Sequence, residues 1–293
     1  MTKVLVTAAS GSAGRSFVEA LIDKGFDVIA TSRNPETLSF SRKVEVRAYD
    51  ADSTTDFPTL FADVDAVVLV APPLDGRIDV KLAPFIDAAA SAKIAHLVYL
   101  SGNYLSGMTG ATLEALPVRK LEQRIIASGL KNTILRAGFF MDNYTTGFYG
   151  PMVAQGRISL ATGLGKSALI AGADVGAFTA EVLARGLTGE YILTGPQSLD
   201  HYEVAEILSE KLGTTITYTP VTEPQLEAYY QSKGLNAESL DYGMVLYRAY
   251  RNQATAAVTD AFKQVTGREP VTFRAFLGLP ENVTDDANRL VDA

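Results

Sequence analysis

The 293-residue chain contains no cysteine, and that absence excludes disulfides, thiolate zinc sites, iron–sulfur clusters and thiol nucleophiles together. Histidine is almost as scarce. His96 stands before an apolar strand and His201 opens a helical pattern; two such residues are too few for a His-rich metal site, so both read as structural and no metal is expected. Basic residues are outnumbered, 26 Lys and Arg against 33 Asp and Glu, and the resulting net charge of −7 repels nucleic acid and anionic membranes. No apolar run reaches the length of a membrane span, and the chain enters a strand pattern at once, without the apolar core and cleavage site of a signal peptide. A cytoplasmic protein, monomer or homodimer, is expected. The sequons at Asn143 and Asn282 then have no secretory route and count as chance matches. A G-x-S-x-G elbow is also missing, which removes the usual support for a Ser-His-Asp hydrolase. Gly165-Lys166-Ser167 looks like the tail of a P-loop, but Leu160 occupies the position of its first glycine.

What is present begins at Val4. The run VLVTAASGSAGRSFVEALIDKGFDVIATSR has the order apolar strand, glycine-bearing turn, helix, second strand, basic residue. Val4 to Val6 suit a parallel strand buried on both faces. Phe17, Val18, Leu21 and Ile22 recur at helical spacing, and Gly25 is placed to end the helix. A turn of this kind aims backbone N–H groups and the positive end of a helix dipole at one point, where a pyrophosphate can sit. The residues expected to hold it are Thr7, Ser10, Gly11, Ser12, Ala13 and Gly14. About twenty residues past the glycines an NAD-binding chain places an acidic residue for the ribose 2′-hydroxyl, whereas Arg suits a 2′-phosphate. Ser32 and Arg33 stand there, so NADP(H) is the expected cofactor.

Alternation of strand and helix signals continues to about residue 150. Strands are expected at Val44–Arg47, Ala66–Val70, His96–Leu100 and Thr133–Arg136, with one helix from Glu114 to Ser128. Ligands of such sheets lie beyond the carboxyl ends of the strands. Ala71, Pro72, Pro73, Ser101, Gly138 and Phe139 therefore mark the path of the cofactor toward its nicotinamide. Past residue 150 the alternation loosens. The expected architecture is α/β: a Rossmann doubly wound parallel sheet over residues 1–150, and a smaller C-terminal α+β substrate lobe over 151–293 that partly returns to the sheet.

Several segments taken together resemble one family. VLVTAASGSAGR, the Thr31–Pro35 segment, LVAPP, LVYLSG, SGLKNTILRAGFFMDNY, LTGPQSLDHYEVAEILSEKLG and TGREPVTFRAFL are similar to the NmrA-like branch of the atypical short-chain dehydrogenases/reductases. Members similar to NADPH-dependent quinone oxidoreductases and to festuclavine-dehydrogenase-like enzymes share these features. The resemblance implies an NADP(H)-binding Rossmann domain, a dinucleotide turn from Thr7 to Gly14 with Ala8 replacing the first glycine, a 2′-phosphate contact at Arg33, a loop at Ala71–Pro73 and a nicotinamide-side loop at Ala137–Phe140.

Departures from the pattern concern catalysis. The Tyr-x-x-x-Lys dyad of the wider superfamily is missing after the fifth strand, and the single match, Tyr229 to Lys233, falls in the C-terminal part. Many NmrA-like reductases carry His where this chain has Val118, four residues before Glu122. Ser101, Tyr104 and Lys120 are within reach of the crevice, but none is assigned as the catalytic acid. The aromatics Phe139, Phe140, Tyr144, Phe148 and Tyr149 admit two readings, a wall for a flat organic substrate or core packing. Two functions follow. One is hydride transfer from NADPH to a small apolar, electron-poor quinone, enone or iminium; the other is an NADP(H) sensor with little or no turnover.

Overall fold

The computed structural model describes residues 2–72 and 74–281. Pro73 and Asn282, named above, lie outside the described residues. The chain runs β1 (Lys3–Val6), α1 (Ser12–Asp23), β2 (Asp27–Ser32), β3 (Glu45–Ala48), α2 (Phe57–Leu60), β4 (Ala66–Leu69), α3 (Ile78–Ser91), β5 (His96–Gly102), α4 (Gly110–Ala115), α5 (Pro117–Ala127) and β6 (Asn132–Ala137). It continues through α6 (Gly150–Ala154), β7 (Arg157–Ile158), β8 (Ser167–Ala168), α7 (Gly172–Arg185), β9 (Gly189–Leu193), β10 (Ser198–Leu199), α8 (His201–Leu212), β11 (Thr217–Tyr218), α9 (Glu223–Ser232), α10 (Ala237–Arg251), α11 (Ala261–Thr266) and α12 (Phe273–Phe276).

Seven strands form one parallel sheet in the order β3-β2-β1-β4-β5-β6-β9. This is the Rossmann doubly wound arrangement, and its strand order reverses between β1 and β4, where a crevice opens beyond the carboxyl ends. Strand alternation divides the apolar residues between two cores. Val4 and Val6 face Phe17, Leu21, Val175 and Phe178 of α1 and α7, whereas Leu5 faces Leu82, Phe85, Leu121 and Ile125 of α3 and α5. Each of these fully buried side chains contributes roughly 1.5–3 kcal/mol. The expected helix from Glu114 is broken. Leu116 precedes Pro117 and takes an extended conformation (φ −67°, ψ 132°), as the proline ring demands of its neighbour, so α4 and α5 are separate.

Beyond residue 150 the chain both leaves the sheet and returns to it. Helix α7 packs on α1, and β9 adds to the sheet beside β6 with Leu135 opposite Tyr191. The remainder builds a third core from Tyr144, Ile158, Leu160, Val204, Leu208, Tyr247 and Phe273, flanked by the short pairs β7–β11 and β8–β10. Asp200 caps α8 in a reciprocal box with Glu203. Both histidines are built into the framework. His201 shares hydrogen bonds with the Tyr144 hydroxyl (2.8 Å) and Thr162 Oγ1 (2.9 Å), and burial lowers its pKa to about 3. His96 meets Thr133 Oγ1 at 2.9 Å; burial, with a smaller push from Lys131, lowers its pKa to about 4. Among the described residues no helix is long and apolar enough to cross a membrane.

Candidate functional site

The crevice divides into an outer cleft and an inner cavity that share Pro72. The outer cleft starts at the turn after β1. Ala8 there has φ +50°, the left-handed region that favours glycine, and its carbonyl accepts from Gly11 N at 3.0 Å. Gly14 is required for a different reason: a Cβ on it would overlap the Ala8 carbonyl and crowd Ala9 Cα at 2.9 Å, so only glycine lets α1 start this close to the strand. Helix α1 has no side-chain cap and no acidic residue in its first turn. Its first helical bond is donated by Arg15 N to Gly11 O at 2.9 Å, leaving the N–H groups of Ser12, Ala13 and Gly14 without acceptors among the described residues. An anion answers both this N–H deficit and the helix dipole. Gly11 faces the same space; a Cβ there meets protein only at Ala8 O, 3.5 Å away, so the missing side chain leaves room for a ligand.

Around this turn the cleft is walled by Thr7, Ser10, Ser32 and Arg33, with Tyr49, Asp50 and Asp52 following β3. The Thr7 hydroxyl donates to Val70 O at 2.8 Å and accepts from Val70 N at 2.7 Å, so it fastens the end of β1 to the loop after β4. Ser32 Oγ accepts from Asn34 N at 3.1 Å. Arg33 is exposed at the rim, and its guanidinium has no hydrogen bond or ion pair among the described residues. These features fit a dinucleotide with a pyrophosphate at α1 and a 2′-phosphate at Arg33. The turn residues do not act alike, however. The Ser12 side chain lines a separate groove between α1 and α7, Gly14 is buried, and Ala13 lines neither cavity, so what these three offer is backbone N–H.

The inner cavity lies over the ends of β5 and β6. Ala71, Ser101, Ala137, Gly138, Phe139 and Phe140 form its floor and sides, Ile78 and Val118 contribute apolar surface, and Tyr242 and Leu246 of α10 roof it. Its cavity volume is about 210 Å³, and none of its lining side chains carries a formal charge. Gly138 is set by packing; a Cβ would lie 2.6 Å from the Ala168 carbonyl of β8. Of the five aromatics considered for a wall, only Phe139 and Phe140 line the cavity. Tyr144 and Tyr149 belong to the lobe core, and Phe148 packs on Tyr230 at a 5.2 Å ring separation. The core reading therefore holds for Tyr144 and Tyr149, because the chain turns away from the strand ends through the 3-10 turn Met141–Tyr144, while Phe148 is 44% exposed and fits neither reading.

Ser101 donates its hydroxyl to Glu122 Oε1 at 2.6 Å. Glu122, wholly buried, also accepts from Arg119 (2.9 Å) and twice from Arg136 (3.0 and 2.8 Å). Burial alone pushes this carboxyl upward, but the bonds from Arg136, Ser101 and Arg119 outweigh it and hold the pKa below the ordinary range. Tyr104 lies on the 3-10 turn Asn103–Gly107, its ring folded over Gly102, where any side chain would strike it, and its hydroxyl is paired with that of Tyr242. Lys120 is half-exposed, 4.0 Å from Asp79, and does not line the cavity. Tyr229 and Lys233 sit together on the outside of the lobe, the ammonium 5.5 Å over the ring, away from both cavities. Tyr99, Tyr242, Leu246 and Thr255 were not singled out by sequence. Nothing in local spacing marks Tyr242 and Leu246, because α10 reaches the strand ends only through the folding of the lobe, and the apolar run of β5 does not tell that Tyr99 lines the cavity.

Comparison with known proteins agrees with this architecture. The chain is 28% identical over 284 residues to an NAD(P)H azoreductase of Xenophilus azovorans, spanning 93% of this chain and 96% of that protein. It is also 28% identical over 306 aligned positions to agroclavine dehydrogenase of Claviceps fusiformis, spanning 96% and 98%. In structure it is similar to an NADPH-dependent quinone oxidoreductase of Escherichia coli, solved with NADPH, at a TM-score of 0.77 and 21% identity over 94% of this chain and 98% of the other, a likeness of fold. A family model described as the NmrA-like family matches residues 1–273, and the chain belongs to that family.

Proposed function

We propose that the protein is an NADPH-dependent oxidoreductase that reduces a small, apolar, electron-poor compound. One observation carries this reading: a cleft at the N–H groups of α1 and at Arg33, unpartnered among the described residues, adjoins through Pro72 an uncharged cavity at the ends of β5 and β6. The names of the azoreductase and agroclavine dehydrogenase relatives are in keeping with it.

The cofactor-binding assignment is Thr7, Ser10, Gly11, Ser12, Ala13, Gly14, Ser32, Arg33, Ala71, Pro72, Ser101, Gly138 and Phe139. Within it, the N–H groups after Gly11 hold the pyrophosphate, and Arg33 with Ser32 takes the 2′-phosphate. Thr7, by tying β1 to the β4 loop, keeps the cleft open at fixed width. Phe139, Phe140, Val118 and Leu246 exclude water from the reacting end and offer flat apolar contact. When bound, reduced nicotinamide supplies a hydride. The protein's part is to place an electrophile beside it in a dry cavity, where positioning supplies much of the rate.

Arg33→Ala tests the cofactor half. A charge-assisted bond to phosphate is worth roughly 1.5–3 kcal/mol, so NADPH affinity should fall by about ten- to a hundredfold with NADH affinity unchanged. An unaltered NADPH/NADH affinity ratio, measured by fluorescence titration, refutes the 2′-phosphate assignment. Loss of absorbance at the reduced-nicotinamide band with a panel of quinones, enones and iminium compounds tests turnover. NADPH binding without oxidation by any of them would assign the protein as a sensor instead.

A further inference from the structure

The inner cavity is lined mainly by apolar side chains, with polar atoms of Ser101, Asn143 and Thr255 at its margin and three tyrosines from distant parts of the chain: Tyr99 of β5, Tyr104 of the following turn and Tyr242 of α10. Their hydrogen bonding does not close. Tyr104 and Tyr242 bond to each other, so one of the two donates and the other keeps an unused proton. Tyr99 Oη is buried with no hydrogen-bond partner among the described residues. The neighbouring acceptor is already spent, since Glu122 takes bonds from Ser101, Arg119 and Arg136. Ser101 in turn directs its only proton at Glu122. The cluster therefore holds two O–H donors that no acceptor engages among the described residues. Leaving a buried donor unsatisfied costs about 1–3 kcal/mol, which makes the arrangement wasteful unless a ligand atom completes it.

The surroundings indicate what kind of atom. No Lys, Arg or His lines the cavity, so a carboxylate or phosphate would arrive uncompensated. Burial raises the pKa of all three tyrosines, so they stay protonated and act as donors. A neutral oxygen acceptor attached to a flat apolar body satisfies both conditions. An iminium or another cationic electrophile without oxygen satisfies neither the donors nor the desolvation.

We propose that Tyr99, Tyr104 and Tyr242 form a neutral donor site for the carbonyl or quinone oxygen of the substrate, which narrows the substrate class to conjugated carbonyl compounds. This assignment rests on the oxidoreductase reading above for its chemistry, since such an oxygen gains negative charge when the conjugated carbon is reduced. Preoriented donors at that oxygen stabilise the charge as it develops.

The test uses 1,4-naphthoquinone as probe, with the carbonyl stretch of the bound compound recorded by isotope-edited infrared difference spectroscopy in the absence of NADPH. Tyr99→Phe, Tyr104→Phe and Tyr242→Phe retain the rings, and thermal melts with NADPH titrations verify that fold and cofactor cleft are intact. The wild type should lower the stretching frequency relative to an apolar solvent. Tyr99→Phe and the Tyr104→Phe/Tyr242→Phe double variant should each restore part of it and weaken probe binding by about tenfold. With NADPH present, the ratio of kcat/KM for naphthoquinone to that for an oxygen-free iminium compound should drop by a similar factor. Failure of the probe to bind the wild type, or a frequency and ratio unmoved by every Phe variant, overturns the donor site. A wild type that shifts the carbonyl band but never oxidises NADPH supports the donor site and overturns the oxidoreductase reading, so the two are separable.

Discussion

Glu122→Ala is predicted to destabilise the protein by several kcal/mol, although Glu122 touches no cavity. The carboxylate is fully buried and accepts four hydrogen bonds, one from Ser101, one from Arg119 and two from Arg136. Removing one partner of a buried ion pair costs about 3–5 kcal/mol, chiefly because the opposite charge is stranded. Here Arg136 and Arg119 retain 16% and 22% side-chain exposure, and Arg136 keeps Glu190 at 2.9 Å, so water and that second carboxylate recover part of the loss. A cost of roughly 2–4 kcal/mol follows from that discount. For a chain of this size it corresponds to a Tm lower by about 4–16 °C, since each kcal/mol moves Tm by about 2–4 °C. Circular dichroism melts and urea unfolding at pH 7 read both quantities. The pH dependence adds an independent check. Because the folded pKa of Glu122 lies below its ordinary value of 4.5, its stabilising contribution is fully present above that value and is lost as pH falls through the folded pKa. The variant should therefore lose less stability than the wild type between pH 5 and pH 3. Equal melting temperatures at pH 7 would refute the claim that the Glu122 network stabilises the fold.

Two further outcomes are expected. Gly14→Ala forces a Cβ into the Ala8 carbonyl, and since backbone cannot retreat cheaply the cost should reach about 2–3 kcal/mol with loss of NADPH binding; urea midpoints and fluorescence titration check it, and a wild-type midpoint would contradict it. His201 is held neutral, its folded pKa of about 3 lying below the ordinary 6.5, so its contribution is complete above pH 6.5 and declines as pH falls toward 3. At pH 5.5 the loss from this residue is about 1 kcal/mol, and an unfolding free energy that stays flat from pH 7 to 5.5 would disprove it.

The fold of the first strand–turn–helix–strand unit was legible because its signals are local. Val4–Val6, Gly11, Gly14 and Arg33 lie within one strand–turn–helix–strand unit, and parallel strands buried on both faces announce themselves as apolar runs. Even so, the left-handed turn at Ala8 was not foreseeable from the residue type, and Pro117 divided a helix that periodicity had joined. The inner cavity was only half legible. Its floor comes from strand ends, which sequence order locates, but Tyr242 and Leu246 come from a helix more than one hundred residues downstream. Local patterning assigned Tyr144 and Phe140 the same character; tertiary packing sent one into the lobe core and the other to the cavity wall.

The division of the crevice also bears on how such a protein changes over time. Every side chain of the outer cleft lies between Thr7 and Leu82, while the roof of the inner cavity is one face of α10, held against the β4 loop by Leu74 near Gly243. Mutation along that face is expected to alter what the protein accepts while leaving the α1 turn and Arg33 untouched. A lineage built this way can diversify its chemistry by rewriting a single fifteen-residue helix, and a library randomised at Tyr242 and Leu246 is the economical place to redirect it.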